Sequence, residues 1–445
     1  MQGANKLKVF LLLVGDVVVL YVSLFGTLLI RYRASFYAEF LKDHAFAFSV
    51  IFVLWILLFY VSGLYDLRRL RNNLDFIKTL LLTLAVNAVL AALLFYLVPA
   101  FGITPKTNLL IFTVIFAIAE IFWRRGANRW MTFGEAPNKA ILVGSGIVAE
   151  EVKRVVREAP QLGYEIRAEF SEDQAYAAPE QLRAAARAHG INLIVIPHQL
   201  KRDGRLVRTL YELFGSGILV IDLVAFYENI LRKIPLRAVE EAWLIENVAA
   251  EVRFYDQLKR ASEFTAALLL GILLSPLELL IAILIKLTSR GPIIYRQIRV
   301  GEKERPFTLY KFRTMRIDAE KNGAVWSSLN DPRATSIGRF LRLSHLDELP
   351  QLWNIVKGDL SFVGPRPERP EFVEKLKSQI PYYEVRLLAK PGVTGWAQIH
   401  WRKDTTIEDV MQKLEYDIYY LKNRSVVLDW AIILKTVKSL ISNPE

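Results

Sequence analysis

Adjacent carboxylates set among arginines and lysines mark the stretch from Arg296 to Pro367 as the part of this chain best equipped for chemistry. The motifs run Arg296-Gln297, Arg299-Val300-Gly301, Lys311-Phe312-Arg313-Thr314-Met315 and Asp331-Pro332-Arg333. They continue with Leu341-Arg342, Leu346-Asp347-Glu348-Leu349-Pro350-Gln351-Leu352, Lys357-Gly358-Asp359 and Gly364-Pro365-Arg366-Pro367. Cations spaced around paired acids suit a diphosphate and its metal. The planar arginine fork matches phosphate oxygens, and hard Mg2+ takes carboxylate and phosphate oxygens together. Cysteine is absent from the chain. That removes disulfides, thiolate metal sites and thiol nucleophiles, so covalent chemistry must use oxygen or nitrogen groups.

The elements that must position these groups are partly in lipid. The chain has 445 residues, 53% hydrophobic and 23% charged, and its net charge of +12 favours anionic partners such as lipid headgroups or phosphates. Nucleic acid would also answer to that charge, but no recognisable nucleic-acid module carries it. Four apolar stretches open the sequence, Val9 to Ile30, Phe46 to Leu64, Thr79 to Val98 and Asn108 to Trp123, the last of them short. Each approaches the ~20 residues needed to cross hydrocarbon. The first is too long for a cleaved signal peptide and is followed by others. Lys6 and Lys8 precede the first stretch, Arg68, Arg69, Arg71 and Lys78 separate the second from the third, and Arg124, Arg125 and Arg129 follow the fourth. The positive-inside rule therefore places the N-terminus and everything after Arg124 in the cytoplasm. Asp16, within the first span, is read as a packing or hydrogen-bonding residue.

From Asn138 the pattern becomes an apolar strand, Ala140 to Val143, then Gly144-Ser145-Gly146 and a helical run through Glu158. This is the strand, glycine turn and helix of a βαβ unit, with Ile191 to Ile196 and Gly217 to Ile221 as further parallel strands. A bound dinucleotide needs an acid at the end of the second strand. Glu165 and Glu169 are the candidates, and a folding or oligomerisation module is the preferred reading. A fifth apolar run, Phe264 to Ile285, is long enough to span, yet Ser275-Pro276 sits at its centre, Glu278 follows, and Lys259, Arg260, Lys286 and Arg290 make both flanks basic. Proline breaks helices, buried charge is costly, and basic flanks pull both ends to one side. A helix that enters one leaflet and returns satisfies all three.

These motifs together resemble the sugar transferase domain of the polyprenyl-phosphate glycosyl-1-phosphate transferases, from about Asp256 to the C-terminus. Lys259-Arg260, Pro391-Gly392-Val393-Thr394-Gly395-Trp396-Ala397-Gln398, Tyr416-Asp417 and Tyr419-Tyr420 add to the likeness. The front half resembles the large branch of the family. The resemblance implies a multi-domain membrane protein. Its parts are a four-helix transmembrane bundle (1–125), an α/β Rossmann-like cytoplasmic domain (137–245) and a mainly α catalytic domain (256–445) with a re-entrant helix at 264–285. It further implies transfer of a sugar-1-phosphate from a UDP-sugar to undecaprenyl phosphate at the bacterial inner membrane, releasing UMP and initiating exopolysaccharide, O-antigen or capsule synthesis. Homodimerisation through the front half is expected on the same ground.

By that likeness Asp347 matches the nucleophile that attacks the β-phosphorus. Glu348 matches its partner acid, the two carboxylates hold Mg2+, Arg366 matches a phosphate-binding position, and Ser275-Pro276 matches the kink of the re-entrant helix. Lys311, Arg313, Arg342, Arg299 and Gln351 complete the expected phosphate and substrate contacts. The physical chemistry agrees. A carboxylate is ionised at neutral pH and needs no base, but it must approach an anionic diphosphate, so cations have to cancel the repulsion. Two positions depart from the family pattern: Glu263 replaces a usual aspartate, and His345 a usual serine. His345 is read as a packing or surface residue, with a proton relay as the alternative. The helix from Val426 to Ile441 suits either the membrane interface or the domain core. Rival readings are a membrane-anchored NAD-dependent nucleotide-sugar epimerase or dehydratase, to which Tyr255 and Lys259 would lend a Y-x-x-x-K, a glycosyltransferase releasing UDP, and a non-catalytic membrane scaffold.

Overall fold

The computed structural model describes residues 2–67, 70, 74–97, 101, 106–133, 138–202, 204–248, 253–317, 319, 331–401 and 406–442. Arg68, Arg69 and Arg71, counted above for orientation, lie outside the described residues. The chain divides into two compact units, Met1–Leu231 and Arg232–Glu445.

The first unit opens with four apolar helices, Gln2–Tyr32, Ala45–Val61, Leu74–Leu97 and Lys106–Phe133. Their outward faces carry exposed Phe10, Val22, Phe46, Val53, Leu82 and Phe122, which is how spans look when lipid replaces water. Inside, Phe48, Trp55, Phe59, Phe112 and Phe116 are fully buried and packed ring against ring. The fourth helix, read from sequence as the shortest, has 28 residues, and the second is the shortest with 17. At 1.5 Å per residue the second spans ~25 Å. Arg124, read as an aqueous flank, is instead wholly buried within the fourth helix. It pairs with Asp16 of the first helix, donates to Glu120 Oε1 at 2.8 Å and to the Leu64 carbonyl at 2.7 Å. Asp16 also accepts from Tyr65 Oη at 2.5 Å and Trp123 Nε1 at 2.9 Å, so its hydrogen-bonding role is fulfilled by partners on distant segments.

The same unit carries a four-stranded, all-parallel sheet in the order β2-β1-β3-β4, with β1 at Asn138–Val143, β2 at Tyr164–Phe170, β3 at Leu193–Ile196 and β4 at Leu219–Asp222. Helices Gly146–Glu158, Pro179–Ala188 and Gly204–Gly215 connect the strands. Ile141 and Leu142, neighbours on opposite faces of β1, are both buried, as are Ile194 and Val195 on β3, which explains their unbroken apolar runs. Gly144 (φ 137°) and Gly146 (φ 79°) make the turn after β1 in conformations that favour glycine. Glu165 pairs with Arg167 and Glu169 with Lys153, each at 2.9 Å. Spans and sheet form one unit because residues of both, such as Phe116 and Leu142, belong to one continuous apolar core.

The second unit is built on one helix of 36 residues, Arg253–Thr288, with Pro276 inside it. The expected break there does not end the helix. Pro276 has no N–H for the Ile272 carbonyl, and the hydroxyl of Ser275 donates to that carbonyl instead, at 2.8 Å. Leu269, Ile272, Leu273, Leu279 and Leu287 are exposed, and Ala267, Ile281 and Ile285 are buried. An antiparallel hairpin follows, β5 (Ile294–Val300) with β6 (Pro306–Phe312). Then come helices Ser336–Leu343 and Gln351–Lys357, strand β7 (Ser361–Val363) parallel to β8 (Gly392–Thr394), and helices Ile407–Asn423 and Val426–Ser442. Where β7 leaves the sheet, a β-carbon on Gly392 would lie 2.1 Å from the Gly364 nitrogen, so the two backbones meet only because neither has a side chain. Val427 and Trp430 of the last helix are exposed and Ala431 and Ile432 buried, so this helix has one face in the domain and one outside it.

Candidate active site

His345, in a left-handed conformation (φ 54°), turns the chain out of helix Ser336–Leu343 into a short 3-10 turn, Leu346–Glu348. Leu346 and Leu349 pack into an apolar cluster with Ile285, Phe312 and Leu341. That packing pins both ends of the turn and leaves Asp347 and Glu348 pointing away from it. A left-handed non-glycine residue costs of order 1 kcal/mol and persists only where its surroundings enforce it.

Glu348 Oε1 accepts from Lys311 Nζ at 2.6 Å, and Arg366 stands 3.5 Å from the same oxygen. Lys311 comes from β6 and Arg366 from the loop after β7. Asp347 is 8% exposed, and among the described residues its carboxylate has no hydrogen-bond partner. The two acids therefore sit in opposed environments. Burial pushes the Asp347 carboxyl above its usual range, with the Glu348 charge adding to this and Lys311, His345 and Arg342 working against it. Burial acts on Glu348 as well, but Lys311 and Arg366 outweigh it and hold that carboxyl down to about 2. Pairs split in this way divide labour, one acid held by cations and the other left available.

The other expected contacts are placed as follows. Arg342, in the last turn of its helix, is near enough to act electrostatically on Asp347. Gln351 is buried on the first turn of Gln351–Lys357. Arg299 and Arg313 are not among the groups around Glu348. Arg299 donates to the Pro367 carbonyl at 2.9 Å and to Gln297 Oε1 at 2.6 Å. Arg313 donates to the carbonyls of Arg290, at 2.9 Å, and Ser289, at 3.0 Å, closing the end of the long helix. Both guanidiniums satisfy carbonyls that would otherwise lack donors. His345 is exposed. Tyr255 and Lys259, the Y-x-x-x-K pair, both bind Asp429, at 2.7 and 2.6 Å.

Two positioning residues carry no sequence signal, Asn354 and Arg386, and a third, Arg260, stands in the Lys259-Arg260 motif without its partners being legible. Asn354, fully buried, accepts from the Tyr310 N–H at 3.1 Å and donates to the Thr308 carbonyl at 2.7 Å, fastening the free edge of β6 beside Lys311. Arg386, paired with Asp417 at 2.9 Å, donates to the Arg366 carbonyl at 3.0 Å. Arg260 holds the Ile355 and Val356 carbonyls at 2.5 and 2.8 Å, tying the long helix to the end of Gln351–Lys357.

Among the described residues no group of three or more acids or histidines is placed to hold a metal by itself. Asp347 and Glu348 still fit Mg2+, which is typically bound by one or two carboxylates together with substrate phosphates and water. The unpartnered Asp347 carboxylate is the observation that favours this fit.

The model of the bacterial sugar transferase family matches residues 254–443. The chain is 42% identical over 188 residues to the UDP-N-acetylgalactosamine-undecaprenyl-phosphate N-acetylgalactosaminephosphotransferase of Aeromonas hydrophila, a match covering 42% of this chain and 44% of that protein. It is 33% identical over 334 residues to the UDP-glucose:undecaprenyl-phosphate glucose-1-phosphate transferase of Escherichia coli K12, covering 71% and 70% respectively. With the Klebsiella pneumoniae protein of the same name it shares 29% identity over 437 residues, 93% of each chain.

Proposed function

Because this chain belongs to the bacterial sugar transferase family, we propose that it moves a sugar-1-phosphate from a UDP-sugar to undecaprenyl phosphate at the cytoplasmic face of the inner membrane. A buried Asp347 carboxylate free of hydrogen bonds, next to a Glu348 held by two cations, carries this reading. An Asp347 oxygen attacks the β-phosphorus. The bond from that phosphorus to the bridging oxygen breaks, and UMP leaves with the electron pair. The aspartyl phosphosugar then meets a phosphate oxygen of the acceptor, which forms the new diphosphate and returns Asp347 as a carboxylate. Arg366 neutralises phosphoryl oxygens during both displacements, and Lys311 keeps Glu348 ionised and in place. Asp347 and Glu348 would hold Mg2+, which when bound supplies further neutralisation of the diphosphate.

The same reading gives the helix Arg253–Thr288 an in-and-out course through one leaflet, bending at Pro276, so that a water-soluble donor and a lipid-bound acceptor reach one carboxylate. The reaction would begin the assembly of an exopolysaccharide, O-antigen or capsule. Purified protein given Mg2+, undecaprenyl phosphate and a panel of UDP-sugars should release UMP with at least one donor, and Asp347→Asn should release none. Appearance of UDP instead would overturn the mechanism.

A further inference from the structure

The loop that bears Arg366 is held at almost every carbonyl. Pro365 accepts from the Gly392 N–H at 2.9 Å, Arg366 from Arg386 at 3.0 Å, Pro367 from Arg299 at 2.9 Å and Glu368 from the Val300 N–H at 2.9 Å. The first anchor comes from the apolar helix. Tyr255, Lys259, Glu263 and Ala267 follow one another at intervals of four and so share a face. On that face Lys259 Nζ spends its three donors on Asp429 Oδ2 (2.6 Å), Tyr420 Oη (3.0 Å) and the Val363 carbonyl (2.9 Å). One turn on, Glu263 Oε1 accepts from Ser361 Oγ at 2.7 Å and the Phe362 N–H at 3.1 Å. Asp429 Oδ1 accepts from Tyr420 Oη at 2.8 Å, and Tyr255 Oη donates to Oδ2, so the counter-charge is itself fixed from two helices.

We propose that Lys259 is a positioning residue for Arg366: anchored by Asp429 and Tyr420, it holds the Val363 carbonyl from which the Arg366 loop departs. An ammonium with three donors on three convergent acceptors determines a point in space, and Val363 lies three residues before Arg366, with glycine and proline between them. The apolar helix thus sets the aim of a cation in the active site. The inference rests on the phosphoryl-transfer role proposed above for Arg366.

The test uses the full chain in lipid nanodiscs. Lys259→Met should lower kcat for UMP release ~30–100-fold while leaving the KM for the UDP-sugar within a few-fold, since a group misplaced by about 1 Å weakens the transition state more than the ground state. In an Arg366→Met background, itself down by ~100-fold or more, the same substitution should cost little further, because its effect passes through the missing guanidinium. Asp429→Asn, which keeps the side-chain volume, should repeat both results, and thermal melts identify any variant that has not folded. The absence of native cysteine allows a single nitroxide at Arg366→Cys, whose spectrum should narrow towards a mobile label when Lys259→Met is added. Multiplicative losses in the double variant, or an unchanged label spectrum in a folded protein, would overturn the proposal. Should the wild type release no UMP with any donor, the proposed reaction falls, and the label spectrum still decides the positioning.

Discussion

Replacing Asn354 by leucine removes two hydrogen bonds from the edge of β6 while keeping the number of side-chain heavy atoms. The Tyr310 N–H (3.1 Å) and the Thr308 carbonyl (2.7 Å) both lose their partner, in a place where the side chain that served them is 0% exposed. Each backbone group left unpaired away from water costs ~1–3 kcal/mol, and the apolar replacement returns ~1–2 kcal/mol through burial. The net loss is about 3 kcal/mol, against the ~5–15 kcal/mol that holds a typical domain together. The catalytic effect follows from the next residue along. Lys311 reaches Glu348 at 2.6 Å only while β6 keeps its place, so the strand's free edge must be held for the ion pair to persist. Denaturant melts of the nanodisc-embedded chain would show the lowered midpoint, and single-turnover UMP release would show a rate down by ~10–100-fold. A melt within experimental error of the wild type would refute the argument, because it would mean that helix Gln351–Lys357 does not secure the hairpin.

Asp347→Asn should abolish UMP release and at the same time raise the melting midpoint near neutral pH. Burial raises the Asp347 carboxyl in the fold, so the stability it contributes is complete only below its unfolded value and is lost as pH rises through the folded one, a loss that asparagine avoids. For the same reason, if Asp347 attacks as proposed, kcat/KM should fall, on acidification, through a value above the ordinary 3.8, as its carboxylate takes up a proton. Glu348 has the opposite sign: held down to about 2, it contributes stability above its unfolded value that is lost as pH falls towards 2, so Glu348→Gln should lower the midpoint at pH 7 and flatten its acid dependence. Gly392→Ala would place a methyl 2.1 Å from the Gly364 nitrogen and should cost ~3 kcal/mol or more, visible as poor recovery of folded protein. Arg313→Met should lower stability while leaving the KM for the UDP-sugar unchanged, because its partners are the Ser289 and Arg290 carbonyls.

Asp347, Glu348, Lys311 and Arg366 were legible because short motifs carried them, and the fold does gather them. Arg299 and Arg313 stand in motifs of the same kind, yet a sequence does not distinguish an arginine aimed at phosphate from one that satisfies carbonyls. Asn354 and Arg386 carried no signal, since their partners include backbone atoms of segments far along the chain. The continuous helix through Pro276 could not be read from a proline rule, because the compensation comes from the hydroxyl beside it. Arg124 reads as a flank in the sequence because its partner Asp16 lies 108 positions away, and hydropathy windows do not see pairs. Strands β1 and β3 of the parallel sheet, by contrast, follow from the unbroken apolar runs Ala140 to Val143 and Leu193 to Ile196, since burial on both faces leaves no polar positions there, whereas β2 alternates with glutamate and arginine.

That buried pair also constrains how the protein is made. A first helix inserted by itself would present Asp16 to hydrocarbon, at a cost of roughly 2.5–3.5 kcal/mol on insertion scales, and the fourth helix arriving alone would carry Arg124 with only Glu120 of its own turn beside it. The first segment gains its counter-charge only when Arg124 has been synthesised, 108 positions after Asp16. The first span therefore gains its full native setting only when the fourth arrives: a chain cut short before Lys106 keeps Tyr65 as a donor to Asp16 but lacks Trp123 and the counter-charge of Arg124.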